Sequence, residues 1–451
     1  MIEKTLMITF LKYRTLCFLL FFIMPSSASA LDRQNLFDIS NNSPVPINTP
    51  QFAAEIAESK GKKTIILNKQ LLSSQAGDEL DFVTISGAAY TVIFDRLSKG
   101  HKSKTWIGHL KGYRVQYRVM ITLNKNRVEG RISTPDGTMH LKSSRGEVIL
   151  IDHKLEGMQK VPFGNDFILP ENDVPLSSPD QSLSSERDSV NLAAAASSFN
   201  GNTIVDVLVL YNADFNTRND NDAPTRIDYL TALSNQAYLD SQVSMQIRVV
   251  ATELIDYSTE PSNSEALTAI SDTDSSTLAN DVATLRNQTG ADLVIFIRPY
   301  KLSTHGGCGQ AMLNNRMISS SIFGTVSDGV DIDYSGIGTY YYCADDTFAH
   351  ELGHTMGLAH DIDNSSTSGH YDYSYGYGID GDFGTIMSYI SPVTPLFSNP
   401  NISDCNGFIC GTANADNARS LNNDKDTLSG FRDEVISKTV NLNSVYFLLL
   451  N

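Results

Sequence analysis

The amino-acid sequence predicts two unlike halves, a β-rich part over residues 31–190 and an α/β (α+β) domain over 201–436. Three observations predict this. Short runs of alternating apolar and polar side chains, separated by Gly, Asp, Asn and Ser, recur through the first half. Beyond residue 200, apolar runs of strand character alternate with stripes of helical period. Between the halves, residues 169–200 hold Pro170, Pro175, Pro179, many serines and the run Leu192 to Ala196, which has little to bury and reads as a linker ending over 191–200.

The first thirty residues read as an export signal. Lys4, Lys12 and Arg14 precede an apolar run from Leu16 to Met24, and Ala28-Ser29-Ala30 supplies a cleavage triplet. That run is short for a bilayer span, no other stretch reaches membrane length, and no membrane anchor is expected; residues 437–451 read as a tail. In the β-rich half, strands are expected at Lys63–Leu67, Asp81–Ile85, Tyr90–Phe94, Tyr113–Leu123, Arg127–Ile132 and Glu147–Asp152. In the second half Thr203–Tyr211 is a buried strand, and a helix near Thr225–Val243 carries Ile227, Leu230, Leu233 and Ala237 on one side. Met245–Leu254 returns as a strand. Leu278, Val282 and Leu285 share a helical stripe that Gly290 ends, Ala291–Ile297 is the next strand, and Ala413–Val435 is a closing helix.

Cys17 lies within the export signal. The remaining Cys308, Cys343, Cys405 and Cys410 are an even number, suited to two disulfides in an oxidising compartment. Three pairings are possible, and nearness in sequence favours Cys405 with Cys410 and hence Cys308 with Cys343. Their spacing lacks the CxxC pattern of a structural zinc site.

Chemistry concentrates in Thr347–Asp361, which reads TFAHELGHTMGLAHD. His350 and His354 are four apart, so a helix turns both imidazoles toward one metal ion. Glu351 is placed to take a proton from a water activated by that metal. Gly357 lets the chain leave the helix through a conformation that side chains disfavour, and His360 returns as a third ligand. Three protein ligands leave one position open for water, the mark of a catalytic site for one zinc ion. HExxH alone recurs by chance in unrelated helices, whereas HExxHxxGxxHD fixes six positions.

Downstream, Gly384 to Tyr389 spell GTIMSY. Together with the long histidine motif this segment resembles the metzincin metalloproteases, whose Met-turn passes beneath the zinc. Asp361, after the third histidine, is similar to the reprolysin branch. Cys308-Gly309, Cys343-Ala344, FSNP at Phe397–Pro400 and ADNARSLN at Ala415–Asn422 resemble the bacterial secreted peptidyl-Asp metallopeptidases, over about residues 200–435. The resemblance implies a metzincin-type domain with a mixed sheet, an edge strand over the cleft within 306–322, and two long helices, the second bearing the zinc ligands. It also implies an endopeptidase acting on proteins or peptides, with aspartate preferred at the cleaved bond. Met387 is then the Met-turn residue, and Asp361 accepts hydrogen bonds near it. Tyr389 departs from the reprolysin pattern: it stands where astacins and serralysins carry a tyrosine that approaches the zinc and aids catalysis, and a core aromatic explains it equally well.

An exported protease must be kept inactive until outside, so residues 31–190 are expected to be a propeptide removed within the linker. A substrate-binding domain that stays attached is the rival. The segment holds no cysteine, so latency must come from steric block or from another ligand such as Asp or His. Charge suits docking: residues 196–435 carry 10 Lys and Arg against 31 Asp and Glu, the whole chain is at −17, and the remainder is therefore at +4, with Lys60, Lys62, Lys63, Lys99, Lys102 and Lys104 among its cations. So acidic a domain is a poor partner for nucleic acid. An aspartate pocket needs a cation, and Arg298, Lys301 and Arg316 flank the expected cleft edge, where ordinary surface charge explains them as well. His370, in the irregular loop Asp361–Gly384, is expected at the surface rather than on the metal. Asp361, Asp363, Asp380 and Asp382 raise calcium, but no DxDxDG loop supports it. Beside a protease of narrow or broad specificity, a non-catalytic secreted binding module stays open, and the intact Glu351 weighs against it.

Overall fold

Ten strands account for the alternating texture of the first half. They are β1 (Gln34–Asn35), β2 (Phe37–Ile39), β3 (Lys62–Leu67), β4 (Glu79–Val83), β5 (Ala89–Lys99), β6 (Lys104–Leu110), β7 (Arg118–Leu123), β8 (Val128–Thr134), β9 (Gly137–Ser144) and β10 (Glu147–Asp152). The computed structural model describes residues 34–40 and 59–435, apart from 114, 145, 163, 165, 170–197, 200–201 and 334–337. The export signal, most of the linker and the tail lie outside the described residues. The sheet order β1-β4-β5-β6-β7-β8-β9-β10-β3-β2 puts β1 and β2 at opposite ends, although only Leu36 separates them in sequence. A sheet whose two edges belong to one short segment wraps round on itself. Its interior collects Leu36, Phe82, Phe94, Trp106, Ile121 and Ile132.

Four of these strands, β1, β2, β6 and β9, were not expected, and one expected strand is shortened. In β6, Trp106 joins the barrel core while its neighbour Ile107 joins the core of the second half, so the strand is apolar on both faces and shows no period of two. Gly137–Ser144 is too polar to announce a strand. The expected strand Tyr113–Leu123 begins only at Arg118, because turns at 111–112 and 115–116 precede it.

Leaving the barrel, the chain forms two short strands, β11 (Gln159–Lys160) and β12 (Phe167–Ile168), and after the linker β13 (Ser198–Phe199). The second half then supplies β14 (Asn202–Tyr211), β15 (Met245–Leu254), β16 (Leu293–Pro299), β17 (Gly309–Met312), β18 (Phe323–Asp333) and β19 (Thr339–Cys343). β15, β14, β16 and β18 are parallel neighbours in that order, and β17 and β19 lie antiparallel on the free edge of β18, so the sheet is mixed. Beyond that edge β11 pairs with β19 and β12 with β17, both parallel. Residues 159–160 and 167–168 therefore lie along that edge of the sheet.

Among the described residues six α-helices complete this half: α1 (Ala213–Arg218), α2 (Ala223–Asp240), α3 (Asn263–Ser271), α4 (Thr277–Thr289), α5 (Thr347–Thr355) and α6 (Asn417–Leu428). The histidine helix α5 has nine residues and is not the long helix expected. The closing helix is shorter than Ala413–Val435, because the Asp416 carboxylate caps its start by accepting from Arg419 N at 3.0 Å. α2 buries nearly its whole circumference. Ile227, Leu230 and Leu233 face the sheet, while β7 and β8 of the barrel lie over the polar residues on its other side.

That polar contact is specific. Asp228 accepts from the backbone N–H of His101, Lys102 and Ser103 at 2.8, 2.9 and 3.0 Å. Arg118 pairs with Asp240, Arg131 with Asp346 at 2.7 Å, and His140 with Asp345 at 3.3 Å. The cationic partners in these ion pairs are arginine and histidine. Disulfides join Cys308 to Cys343 and Cys405 to Cys410. Among the described residues no helix is long and apolar enough to cross a membrane.

Candidate active site

α5 ends where Gly357 takes a φ of +83°, a conformation that costs other residues energy, and a Cβ there would lie 3.0 Å from both His370 Cβ and Met317 Cε. The turn brings His360 back over the helix. His350, His354 and His360 are 5%, 0% and 0% exposed. His350 Nδ1 donates to Ile386 O at 2.7 Å and His354 Nδ1 to Leu358 O at 2.8 Å. With the proton on Nδ1, each Nε2 turns a bare lone pair inward.

The fourth group at this point comes from the other half. Asp166 Oδ2 lies 3.3 Å from His350 Nε2, and Oδ1 lies 3.3 Å from His354 Nε2 and 2.7 Å from His360 Nε2. All four ligating atoms fall within 4.8 Å of one another, yet the Nε2 atoms of His350 and His360 make no hydrogen bond. Lone pairs and a carboxylate converging in a buried space repel one another, and a cation among them removes the conflict. The residues present therefore fit a metal ion. No second group of metal-ligating side chains gathers among the described residues, and Asp363, Asp380 and Asp382 enter none.

Glu351 lies beside His350, 0% exposed, with neither carboxylate oxygen hydrogen-bonded. Burial, and then the charge of Asp166, push its carboxyl well above the usual range. Met387 packs under the helix, so close that a Cβ on Gly353 would meet its Sδ at 2.4 Å. Asp361 Oδ2 accepts from Tyr389 N at 2.9 Å and Ser388 Oγ at 3.3 Å, which ties the loop after the third histidine to the Met387 turn. The Tyr389 hydroxyl reaches Asp166 Oδ1 at 2.9 Å as well as Gly164 O, and its ring centroid is 4.1 Å from that of His360.

The surface-charge alternative for Arg298 falls, while His370 stays off the metal-ligating group as expected. Arg298 is not surface charge, being 0% exposed at the end of β16. His370 is half-buried, its Nδ1 3.0 Å from Asp424 Oδ2, and it stands apart from the three other histidines. Lys301 sits 3.5 Å from Glu260 at the surface, and Arg316 does not line the cleft. Sequence reasoning did not find Asp166, because nothing in its neighbourhood has a spacing tied to the histidines.

Residues 202–416 match the family described as metallo-peptidase family M12B, reprolysin-like, and residues 43–155 match the BamI lipocalin-like domain. The second half of the chain is thus similar to reprolysin-like metallo-peptidase domains. Two relatives named peptidyl-Asp metalloendopeptidase are similar to it. The one from Pseudomonas aeruginosa is 31% identical over 271 residues, covering 55% of this chain and 44% of that protein. The one from Stenotrophomonas maltophilia is 32% identical over 215 residues, covering 46% and 47%. The chain spans about half the length of the curated relatives it matches. Among solved structures, metalloproteinase-II from Bacteroides fragilis aligns at a TM-score of 0.41 and 10% identity over 76% of this chain and 94% of that one, a likeness too distant to define the fold.

Proposed function

We propose that this chain is the latent precursor of a secreted zinc endopeptidase that prefers aspartate beside the bond it cuts. The observation that carries this reading is the convergence of three histidine Nε2 atoms on one buried point, with Glu351 beside it. Three imidazole nitrogens with one carboxylate suit zinc. The aspartate preference is supported by the name borne by the relatives, and export by the first thirty residues together with the two disulfides.

His350, His354 and His360 would hold the zinc, which when bound supplies a Lewis acid for water and for the substrate carbonyl. Glu351 takes the proton of the attacking water and delivers it to the departing amine. Departure of Asp166 takes away one of the two influences that raise the Glu351 carboxyl, burial being the larger. Tyr389, freed from Asp166 and Gly164, offers its hydroxyl to the developing oxyanion. An extended substrate pairs with β17 and the residue after it, where Ala311 N and Leu313 N are taken here by Asp166 O at 2.9 Å and Ile168 O at 2.9 Å. Residues 31–190 act as a propeptide: the barrel grips α2, and the segment from 159 to 168 fills the cleft and sets Asp166 on the histidines.

The test uses secreted, zinc-loaded protein nicked within the linker and incubated with a denatured protein mixture, with every new terminus sequenced. Chelator-sensitive cleavage that Glu351→Gln abolishes is expected, with Asp recurring beside the cut. Termini without that bias would leave a broad-specificity metalloprotease, and no cleavage would favour the binding module.

A further inference from the structure

A cavity of about 280 Å³ opens against His350 and Glu351. One wall is the first turn of α3, with Ser262, Asn263 and Ser264, continued by His305 and the glycines after it. Behind that wall lies Arg298, 0% exposed. Its Nη1 donates to Thr259 O at 3.1 Å and Pro261 O at 2.6 Å, its Nη2 donates to Asn263 Oδ1 at 2.8 Å, and its Nε has no partner. Every one of these acceptors is neutral. The buried Arg226, by contrast, meets Asp328 and Asp345 at 2.6 Å each. Arg286 is also held by carbonyl oxygens, but its partners Ala291, Asp292 and Ser319 stand off the cavity wall.

A guanidinium without a carboxylate, buried behind a cavity, leaves that cavity electrostatically unfinished. The acidic groups around it do not complete it. Glu265, on the same turn, is exposed and committed to Ser262, whose N and Oγ it accepts at 2.8 Å each. Asp331 accepts from Leu302 N at 2.9 Å. Asp346 lines the cavity near Lys160 and is paired with Arg131. Asp166 and Glu351 belong to the histidine site. His305 is neutral, because burial and then Arg298 bring its ring down to about 4. The N-terminal end of α3 adds its own positive pole on the same side.

We propose that Arg298, acting through Asn263 and the first turn of α3, makes this cavity the pocket for an acidic substrate side chain flanking the scissile bond. The inference rests on the peptidase reading above and supplies the residues behind its aspartate preference. Arg298 is a positioning residue here: it orients Asn263 and sets the potential that the carboxylate meets, and Asn263 forms the wall.

The test compares two peptides identical except for Asp or Asn beside the cut, at each flank in turn, on the zinc-loaded full chain nicked in the linker. The readout is the ratio of their kcat/KM values. Wild type is expected to favour the Asp peptide by about tenfold or more. Asn263→Asp, which places a carboxylate on the guanidinium with little change of shape, is expected to collapse the ratio, through a higher KM for the Asp peptide. Arg298→Gln should do the same, Arg298→Lys should retain a ratio above one, and Lys301→Gln should keep the wild-type ratio. An Asn263→Asp protein that cleaves with the wild-type ratio, or loses both peptides in equal proportion, overturns the inference. Wild type that cuts both peptides equally also overturns it while sparing the peptidase reading, and wild type that cuts neither overturns both.

Discussion

In the proposed reaction Glu351 is the base, and both its carboxylate oxygens are buried without hydrogen-bond partners. Replacing it by Gln keeps the shape and removes the proton acceptor, so kcat/KM is expected to fall by about 10²- to 10⁴-fold while zinc content stays at one per chain, measured by peptide hydrolysis beside metal analysis. Asp166 matters in the opposite sense. In Asp166→Asn the strand pairing of β12 remains but the carboxylate is lost, so after nicking the N-terminal part should leave the zinc-loaded enzyme sooner and peptide cleavage should begin earlier; an unchanged lag would deny Asp166 its part in latency. At this scale the sequence was uneven in what it disclosed. Positions 350, 351, 354, 357 and 360 were legible because covalent spacing on a helix and one turn fixes their geometry. Asp166 lies 188 residues before His354, and only the folded barrel brings the two together. Arg298 reads as an ordinary charge at a strand end, since burial without a counter-charge leaves no mark on the sequence.

Among the elements, α5 depends on the turn that follows it. Gly357→Ala forces a side chain into a left-handed residue and against His370 and Met317, so a loss of about 1–2 kcal/mol or more is expected, read from the denaturation midpoint of the zinc-loaded chain. Zinc should also be released at lower chelator concentration, because His360 is placed by that turn. β14, β15 and β16 were legible from their apolar runs, and α4 from its stripe and its final glycine. β6 and the burial of the polar face of α2 were not, for one reason: both lie between two cores, so residues such as Ile107, Arg226 and Asp228 are buried where an amphipathic pattern would leave them exposed. A second layer of structure hides the periodicity on which such readings depend.

At the scale of the whole molecule, two acidic residues just before α5 meet the barrel. Burial works against the Asp345 carboxylate, but Arg226, His140 and Arg131 hold it well below the usual range. A carboxylate depressed in the folded state contributes stability above its unfolded pKa of about 4, and that contribution is lost as the pH falls. Full-length wild type should therefore exceed Asp345→Asn in Tm most clearly above about pH 5, and the gap should narrow as the pH drops below about 4; a gap that widened in acid would contradict this. On the proposed reading, the barrel, α2 and the strands β11 and β12 keep a finished site closed within one chain. Zinc K-edge absorption of the full chain, before and after nicking and removal of the N-terminal part, tests this most directly. Predicted is a set of three nitrogen ligands and one carboxylate oxygen in the intact chain, with the carboxylate contribution lost on removal. A set containing sulfur, fewer than three imidazoles, or no change on removal would contradict it.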